Sequence, residues 1–351
     1  MKNKILVIIF VGFIFVFSVL GIIIPDKEIS NNERRKLTSF PEFEFSSDWI
    51  SDLDKYLLDH FPFRNNFRSI KANYNYNVLK KFDNNDIYLK DNYIFKSNYP
   101  TDKKSISKFI SHVENISSMF ADRNIYTMII PDKNYYLQDK NFLHIDYDYI
   151  YDEVNKLDNF IDVRDNLKLS DYYETDTHWR QQCLHDIVKE MSSVMGFNYY
   201  DVLYEENIYN DFYGVYYGES AINREAETLI YLKSSLFDEV EVKYLENSHL
   251  TEIYNEEKLS GLDSYDVYLD GASSFIEITN KKVNGGELIV FRDSFGSSLI
   301  PLLVPYYSKI TVIDNRYISS DYFKGLISDS DADVLFLYST LVVNNSDSLK
   351  D

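Results

Sequence analysis

Four runs of mostly apolar residues constrain the fold of this 351-residue chain more than any other feature of its sequence. One covers residues 125–130 and is closed by Pro131, and the other three come late, at 287–291, 310–313 and 334–338. Runs of this length are typical of strands that are buried on both faces of a parallel sheet. Helical patterns lie between them, so the sequence predicts an α/β fold in which helices flank a parallel sheet.

The chain begins with two lysines, Lys2 and Lys4, followed by twenty uncharged and mostly apolar residues at 5–24. A helix of that length crosses a hydrocarbon core of about 30 Å. The positive flank favours the cytoplasmic side, so everything after Pro25 is predicted to lie outside the membrane. The end of the segment lacks the small-residue pattern of a cleavage site. Residues 1–25 are therefore expected to form an uncleaved, single-pass anchor.

The rest of the chain is predicted to divide into two parts. Residues 26–100 form a polar tether and a helical segment, and residues 101–351 contain the apolar runs of the α/β domain. Within that domain, residues from about 197 to 286 are acidic, rich in tyrosine and alternate in polarity over short stretches. This pattern predicts an irregular, partly β insertion that lies over the core.

Charge and cysteine content exclude several classes of function. The net charge of −20 argues against a nucleic-acid partner, whose phosphates need clustered basic residues, and against broad contact with anionic lipid. The single cysteine, Cys183, allows neither an internal disulfide nor a cysteine-based metal site. No glycine-rich phosphate loop is visible, so no nucleotide cofactor is predicted.

Ser294 lies where a predicted strand gives way to a predicted helix. The apolar run at 287–291 precedes it, and Leu299, Leu302 and Leu303 follow at helical spacing. Open α/β sheets build their sites at such strand-to-helix turns, and unpaired N–H groups there can stabilise an oxyanion. Serine also commonly caps helices. This stretch alone therefore leaves a catalytic and a structural role open.

Asp176 and His178 supply the groups that a serine nucleophile requires. Two residues that are two positions apart in an extended segment project to the same side, and a helix that ends at Gly196 is predicted to follow. Histidine can take the proton of a serine hydroxyl near neutral pH, and a carboxylate fixes its tautomer. A purely structural histidine is the alternative. A metal site would need a third ligand that is not evident, so no metal is predicted.

The stretches around His178 and Ser294 resemble those of bacterial DHHW proteins. These are relatives of the alginate O-acetylation proteins AlgJ and AlgX within the SGNH hydrolase superfamily. The Asp-His-His-Trp of the family reads Asp176-Thr177-His178-Trp179 in this chain. The resemblance extends over most of the chain and includes the N-terminal anchor. Further matching stretches, in order along the chain, are 33–37, 61–64, 131–133, 265–271 and 313–317.

This resemblance implies a circularly permuted, SGNH-hydrolase-like (flavodoxin-like) domain in which the Asp-x-His pair precedes the serine. It implies that Ser294, His178 and Asp176 form a catalytic triad and that Arg316 lies near the active site. Gly271 is a candidate oxyanion donor, although a glycine at this position also permits a turn.

The implied function is O-acetylation of an exported or cell-surface polysaccharide through an acetyl-serine intermediate. The implied partner is a multipass membrane O-acyltransferase that passes acetyl groups across the bilayer, since acetyl-CoA is absent outside the cell. Two alternatives stay open at this point. An extracytoplasmic carbohydrate esterase or deacetylase would use the same triad with water as acceptor. A non-catalytic cell-surface assembly protein would keep only the fold.

Overall fold

The computed structural model describes residues 2–137, 142–327 and 331–350. The chain forms two compact units, one from Met1–Ile87 with Tyr217–Arg224 and the other from Tyr88–Tyr216 with Glu225–Asp351. The first unit begins with helix α1 (Lys2–Ile23). Its segment Lys4–Ile23 is long and apolar enough to cross a membrane, as either an anchor or a signal sequence would be.

The remainder of the first unit is mainly helical. Its elements are the short strands β1 (Ile29–Ser30) and β2 (Arg35–Lys36), the helices α2 (Ser47–Asp59) and α3 (Arg64–Asn73), and the strand β3 (Asp83–Asn84). Two of the short matching stretches meet here, because Arg64 pairs with Glu33 and Arg35 pairs with Asp59 at 2.5 Å. These ion pairs hold the segment that follows α1 against the ends of α2 and α3.

The second unit contains the α/β domain. In chain order its strands are β4 (Ile87–Lys90, at the boundary between the units), β5 (Tyr93–Lys96), β6 (Ile125–Ile130), β7 (Phe160–Ile161), β8 (Glu205–Phe212), β9 (Glu227–Lys233), β10 (Val240–Tyr244), β11 (Phe275–Asn280), β12 (Glu287–Arg292), β13 (Lys309–Ile313) and β14 (Asp333–Ser339). Its helices are α4 (Lys103–Ser117), α5 (Tyr147–Val154), α6 (His185–Met195), α7 (Val215–Ser220, within which the chain passes into the first unit), α8 (Gly296–Leu303), α9 (Ser320–Phe323) and α10 (Thr340–Val343).

Seven of these strands form one sheet in the order β10-β11-β13-β12-β14-β6-β7. The five strands from β13 to β7 are parallel, and they include all four apolar runs. Counted from β12, the parallel part has the flavodoxin-like order 2-1-3-4-5. Strands β6 and β7 take positions 4 and 5 of that order but come before β12 in the chain, so the domain is circularly permuted. The predicted permuted α/β fold is thus confirmed.

The sheet separates two hydrophobic clusters. Alternate residues of β14 enter opposite clusters, with Leu335 and Leu337 in one and Val334 and Phe336 in the other. A strand that is covered on both faces has to be apolar at every position, which explains why it appears in the sequence as an unbroken run.

The acidic middle of the chain has two structural roles. Its strands β8 and β9 pair antiparallel as a separate two-stranded sheet, whereas β10 and β11 extend the main sheet as antiparallel edge strands. The alternation at 240–244 places Val242 and Tyr244 on the buried face and Glu241 and Lys243 in solvent, as expected of a strand with one wet face.

Candidate active site

Ser294 lies in the tight turn between β12 and α8, at the carboxyl edge of the sheet. Chain order runs from β12 to β13 on one side and then to β14 on the other, so this edge is the switch point where such folds bind ligands. Asp293 fixes the turn, because its two carboxylate oxygens accept the N–H of Phe295 (3.0 Å) and of Ser339 at the end of β14 (2.7 Å).

Asp176 and His178 lie in a loop of bends between Tyr172 and Trp179, which form an antiparallel bridge. The expectation that this segment is extended is therefore wrong. The backbone N–H of His178 turns back to Oδ1 of Asp176 at 3.0 Å, and this local turn brings the two side chains together. The helix predicted to follow and to end at Gly196 is α6.

The three predicted triad residues form a continuous hydrogen-bonded chain. Nδ1 of His178 is 2.6 Å from Oδ1 of Asp176, and Nε2 of His178 is 2.8 Å from Oγ of Ser294. Asp176 and His178 are buried and Ser294 is half-buried. An imidazole that donates from Nδ1 to a carboxylate presents its Nε2 lone pair to the serine hydroxyl, which is the tautomer that a general base needs.

Aromatic rings enclose the imidazole. The ring of Tyr265 stacks on that of His178 with centroids 3.9 Å apart and planes 7° apart, and Phe295 lies 4.9 Å away on a tilt. The phenol of Tyr265 donates to Oγ of Ser298 at 2.8 Å, and burial raises its pKa well above the usual range. Tyr265 is thus neutral and held in place, and its stacked ring restricts the orientation of the imidazole.

The second carboxylate oxygen of Asp176 is held by the start of α7 and the residue before it. The N–H of Val215 donates to this oxygen at 2.8 Å, and the N–H of Gly214 donates to the hydroxyl of Thr175 at 2.8 Å. A Cβ on Gly214 would lie 2.2 Å from backbone atoms of Thr175 and Asp176, so only glycine allows this approach.

Gly271 is engaged in a turn. Its φ is +69°, its N–H donates to the carbonyl of Tyr268 at 3.1 Å, and its carbonyl accepts from Arg292 at 2.9 Å. This is the turn role named above as the alternative to oxyanion binding. The N–H of Ser294, by contrast, has no hydrogen-bond partner among the described residues and is the donor adjacent to the nucleophile.

Arg316 belongs to a buried charge network beside the nucleophile turn. Its guanidinium makes two hydrogen bonds to Asp314, at 2.9 and 2.7 Å, and Asp314 also lies 3.5 Å from the buried Arg292. Arg292 in turn donates to Oγ of Ser297 at 2.9 Å. The side chain of Arg316 keeps 21% of its surface exposed, so one face of this network reaches solvent.

Several contributors were missed by reasoning from the sequence. Tyr265 lies within one of the stretches that match the DHHW proteins, but no chemical role was predicted for it. No sequence pattern pointed to Gly214 or Val215. Their role is to donate N–H groups to Thr175 and Asp176, which lie in a loop almost 40 residues earlier in the chain.

Comparison with known proteins identifies the fold. No protein-family model matches this chain, and no curated protein matches it either. A solved DHHW family protein from Eubacterium siraeum is similar with a TM-score of 0.61 and 20% identity, covering 77% of this chain and 97% of that one. Bacillus cereus PatB1, solved with a sulfonyl adduct, is similar with a TM-score of 0.59 and 17% identity, covering 73% and 97%.

The O-acetyltransferase domain of Pseudomonas putida AlgJ is also found, with a TM-score of 0.44 and 10% identity, covering 74% of this chain and 92% of that one. The resemblance to DHHW proteins that the motifs suggested is confirmed at the level of the fold.

Proposed function

We propose that this protein is a membrane-anchored, extracytoplasmic O-acetyltransferase that modifies an exported or cell-surface polysaccharide. The observation that carries the proposal is the hydrogen-bonded chain from Asp176 through His178 to Ser294, with distances of 2.6 and 2.8 Å. PatB1, which has the same fold, has been solved with a sulfonyl adduct. Sulfonyl groups are transferred to activated nucleophiles, so a reactive residue in that protein agrees with a reactive Ser294 here.

In the first half of the reaction, Nε2 of His178 takes the proton from Oγ of Ser294 as Oγ attacks the carbonyl carbon of an acetyl ester. The negative charge that develops on the carbonyl oxygen falls near the free N–H of Ser294. The imidazolium, stabilised by Asp176, then returns the proton to the departing alkoxide of the donor. The product is acetyl-Ser294 and a free donor alcohol.

In the second half, a sugar hydroxyl takes the place of the donor. His178 removes its proton as the sugar oxygen attacks the acetyl carbon, and the bond from that carbon to Oγ of Ser294 breaks. Oγ recovers the proton from the imidazolium, and the acetylated sugar leaves. Arg316 is partly exposed and interacts electrostatically with Asp293, the neighbour of Ser294, so we propose that it contacts the substrate.

The proposed donor is a multipass membrane O-acyltransferase. Helix α1 is long and apolar enough to anchor the chain in a bilayer, and the two lysines at its start favour an orientation with the rest of the chain outside. In this mechanism an acetyl group reaches that side as an ester on a membrane partner, since acetyl-CoA is not present there.

Acetylation of the full chain in detergent tests this proposal. The protein is incubated with p-nitrophenyl acetate, release of the chromophore is followed, and acetyl-Ser294 is sought by mass spectrometry. Ser294→Ala and His178→Ala are expected to abolish both signals. The exposed Ser193, on α6, offers a matched control, and Ser193→Ala is expected to behave as the unaltered protein.

Added glycans then separate the acceptors. Transfer of the acetyl group to a glycan supports the transferase, and release of acetate alone supports an esterase. Absence of labelling in a folded protein, judged by circular dichroism, refutes the proposed chemistry.

A further inference from the structure

Lys133 has a buried ammonium group that contacts the backbone of the loop that carries Asp176 and His178. It begins the 3-10 turn Lys133–Tyr136 after β6, and only 2% of its surface is exposed. Its ammonium group donates three hydrogen bonds, to the carbonyls of Tyr173 (3.1 Å), Glu174 (3.1 Å) and Asp176 (2.6 Å). The three N–H groups of an ammonium thus meet three carbonyls of one loop, which leaves none of its donors unused.

Aromatic rings around this ammonium offset part of the cost of burying its charge. The rings of Tyr93, Phe95 and Tyr216 lie 5.0–5.8 Å from Nζ of Lys133, within the range of cation–π attraction. These contacts replace water as the partner of the charge.

Glu227, at the start of β9, holds the same loop from its other side. Its carboxylate accepts the N–H groups of Glu174 and Thr175, both at 2.7 Å, together with the hydroxyl of Thr175 and the guanidinium of Arg180. Lys133 therefore binds the carbonyls of the loop and Glu227 binds its N–H groups. The conformation that turns the Asp176 carboxylate toward His178 depends on both.

We propose that Lys133 is a positioning residue for the Asp176–His178 pair, and that the reactivity of Ser294 is lost when the Lys133 ammonium gives up its proton. A neutral amine has two N–H donors and one lone pair, so it satisfies two of the three carbonyls and turns its lone pair toward the third. The bond to Asp176 is the shortest of the three, and its carbonyl belongs to the residue that orients the imidazole. This inference rests on the proposed role of Ser294 as nucleophile.

The pH range of this effect lies close to neutrality. Burial lowers the pKa of Lys133 to about 7, and neighbouring carboxylates oppose the shift. The charged and titratable groups that face Lys133 are Asp132 on its own segment, Tyr173, Glu174 and Asp176 on the loop, Glu227 on β9, Tyr93 on β5 and Tyr216 on α7. We therefore expect Ser294 reactivity to fall as the pH rises above 7.

The same lowering of the Lys133 pKa makes the folded chain more stable as the pH rises, whereas the reactivity of Ser294 is expected to fall. Between about pH 7 and about pH 10 the folded chain binds fewer protons at Lys133 than the unfolded chain does. The free energy of unfolding that this group contributes thus increases with pH over that window. Loss of reactivity without a loss of melting temperature distinguishes a positioning role from simple unfolding.

The test measures sulfonylation of Ser294 by phenylmethylsulfonyl fluoride on the full chain in detergent, from about pH 6 to about pH 9. In the unaltered protein the rate constant is expected to decline above pH 7, by up to about tenfold per pH unit. Lys133→Arg keeps a cation at every pH and is expected to remove this decline. Lys133→Met is expected to lower the rate about 100-fold at pH 7. Lys243→Met, at an exposed lysine of β10, is the control and should keep both the rate and the decline.

The proposal is overturned if the unaltered protein reacts equally fast from pH 7 to pH 9, or if Lys133→Arg declines at the same midpoint. If no form is sulfonylated at any pH, the proposed function fails, and proton NMR decides the positioning role by itself. The low-field resonance of the His178 ring proton bound to Asp176 is then expected to disappear above pH 7 and to persist in Lys133→Arg. A resonance that Lys133→Met and pH leave unchanged refutes the inference.

Discussion

A single methyl group on Gly214 is expected to disable the candidate site without touching any of its reactive atoms. The Cβ of Gly214→Ala would lie 2.2 Å from backbone atoms of Thr175 and Asp176, which is 1.2 Å short of the 3.4 Å at which ordinary contact begins. These atoms belong to the backbone and not to flexible side chains, so either the segment of Gly214 or the loop of Thr175 and Asp176 has to move by about an ångström or more.

That movement breaks three hydrogen bonds between the segments. They run from Gly214 to Oγ1 of Thr175 (2.8 Å), from Val215 to Oδ2 of Asp176 (2.8 Å) and from Tyr216 to the carbonyl of Thr175 (3.0 Å). At about 1 kcal/mol each, their loss costs about 3 kcal/mol and lowers the melting temperature by about 6–12 °C. A displacement of the Asp176 carboxylate by about 1 Å is expected to slow acylation of Ser294 about 100-fold.

Scanning fluorimetry and the rate of chromophore release from p-nitrophenyl acetate measure the two effects. Gly286→Ala is the matched control, because nothing lies within 4 Å of the Cβ that it adds. Equal melting temperatures and equal rates for the two variants would contradict the packing argument.

Three further outcomes are expected. Asp176→Asn leaves the loop in place but is expected to reduce acylation of Ser294 about 10⁴-fold, since an amide no longer fixes the imidazole tautomer; steady-state kinetics measure this. Tyr265→Phe keeps the ring stacked on His178 and loses only the hydrogen bond to Ser298, so it is expected to lower the free energy of unfolding in denaturant by about 1 kcal/mol. The rate of Ser294 acylation should change little. A large loss of that rate would contradict the role of the ring in holding the imidazole. The hydrogen bond from Arg35 lowers the pKa of Asp59, so the stability that this pair contributes is present above about pH 4 and is lost as the pH falls further; circular dichroism should show that Asp59→Asn weakens this acid dependence.

The parallel strands and the position of Ser294 could be predicted because they depend on local pattern. A strand covered on both faces is apolar at each position, and four such runs were enough to indicate the sheet. The strands β10 and β11 were not assigned to that sheet, because an edge strand with one wet face has a weaker and more ambiguous pattern.

The amino-acid sequence by itself determined which residues are able to do chemistry and roughly which elements carry them. Only the tertiary structure decided that Ser294 lies 2.8 Å from His178, 116 positions earlier, and that Lys133, Glu227, Gly214 and Tyr265 hold the pair in place. The physical reason is that periodicity and turn chemistry are properties of neighbouring residues. The positions of these supporting groups follow instead from how distant segments pack. A buried charge or a missing Cβ affects the site only through its contact with a residue far away in the chain.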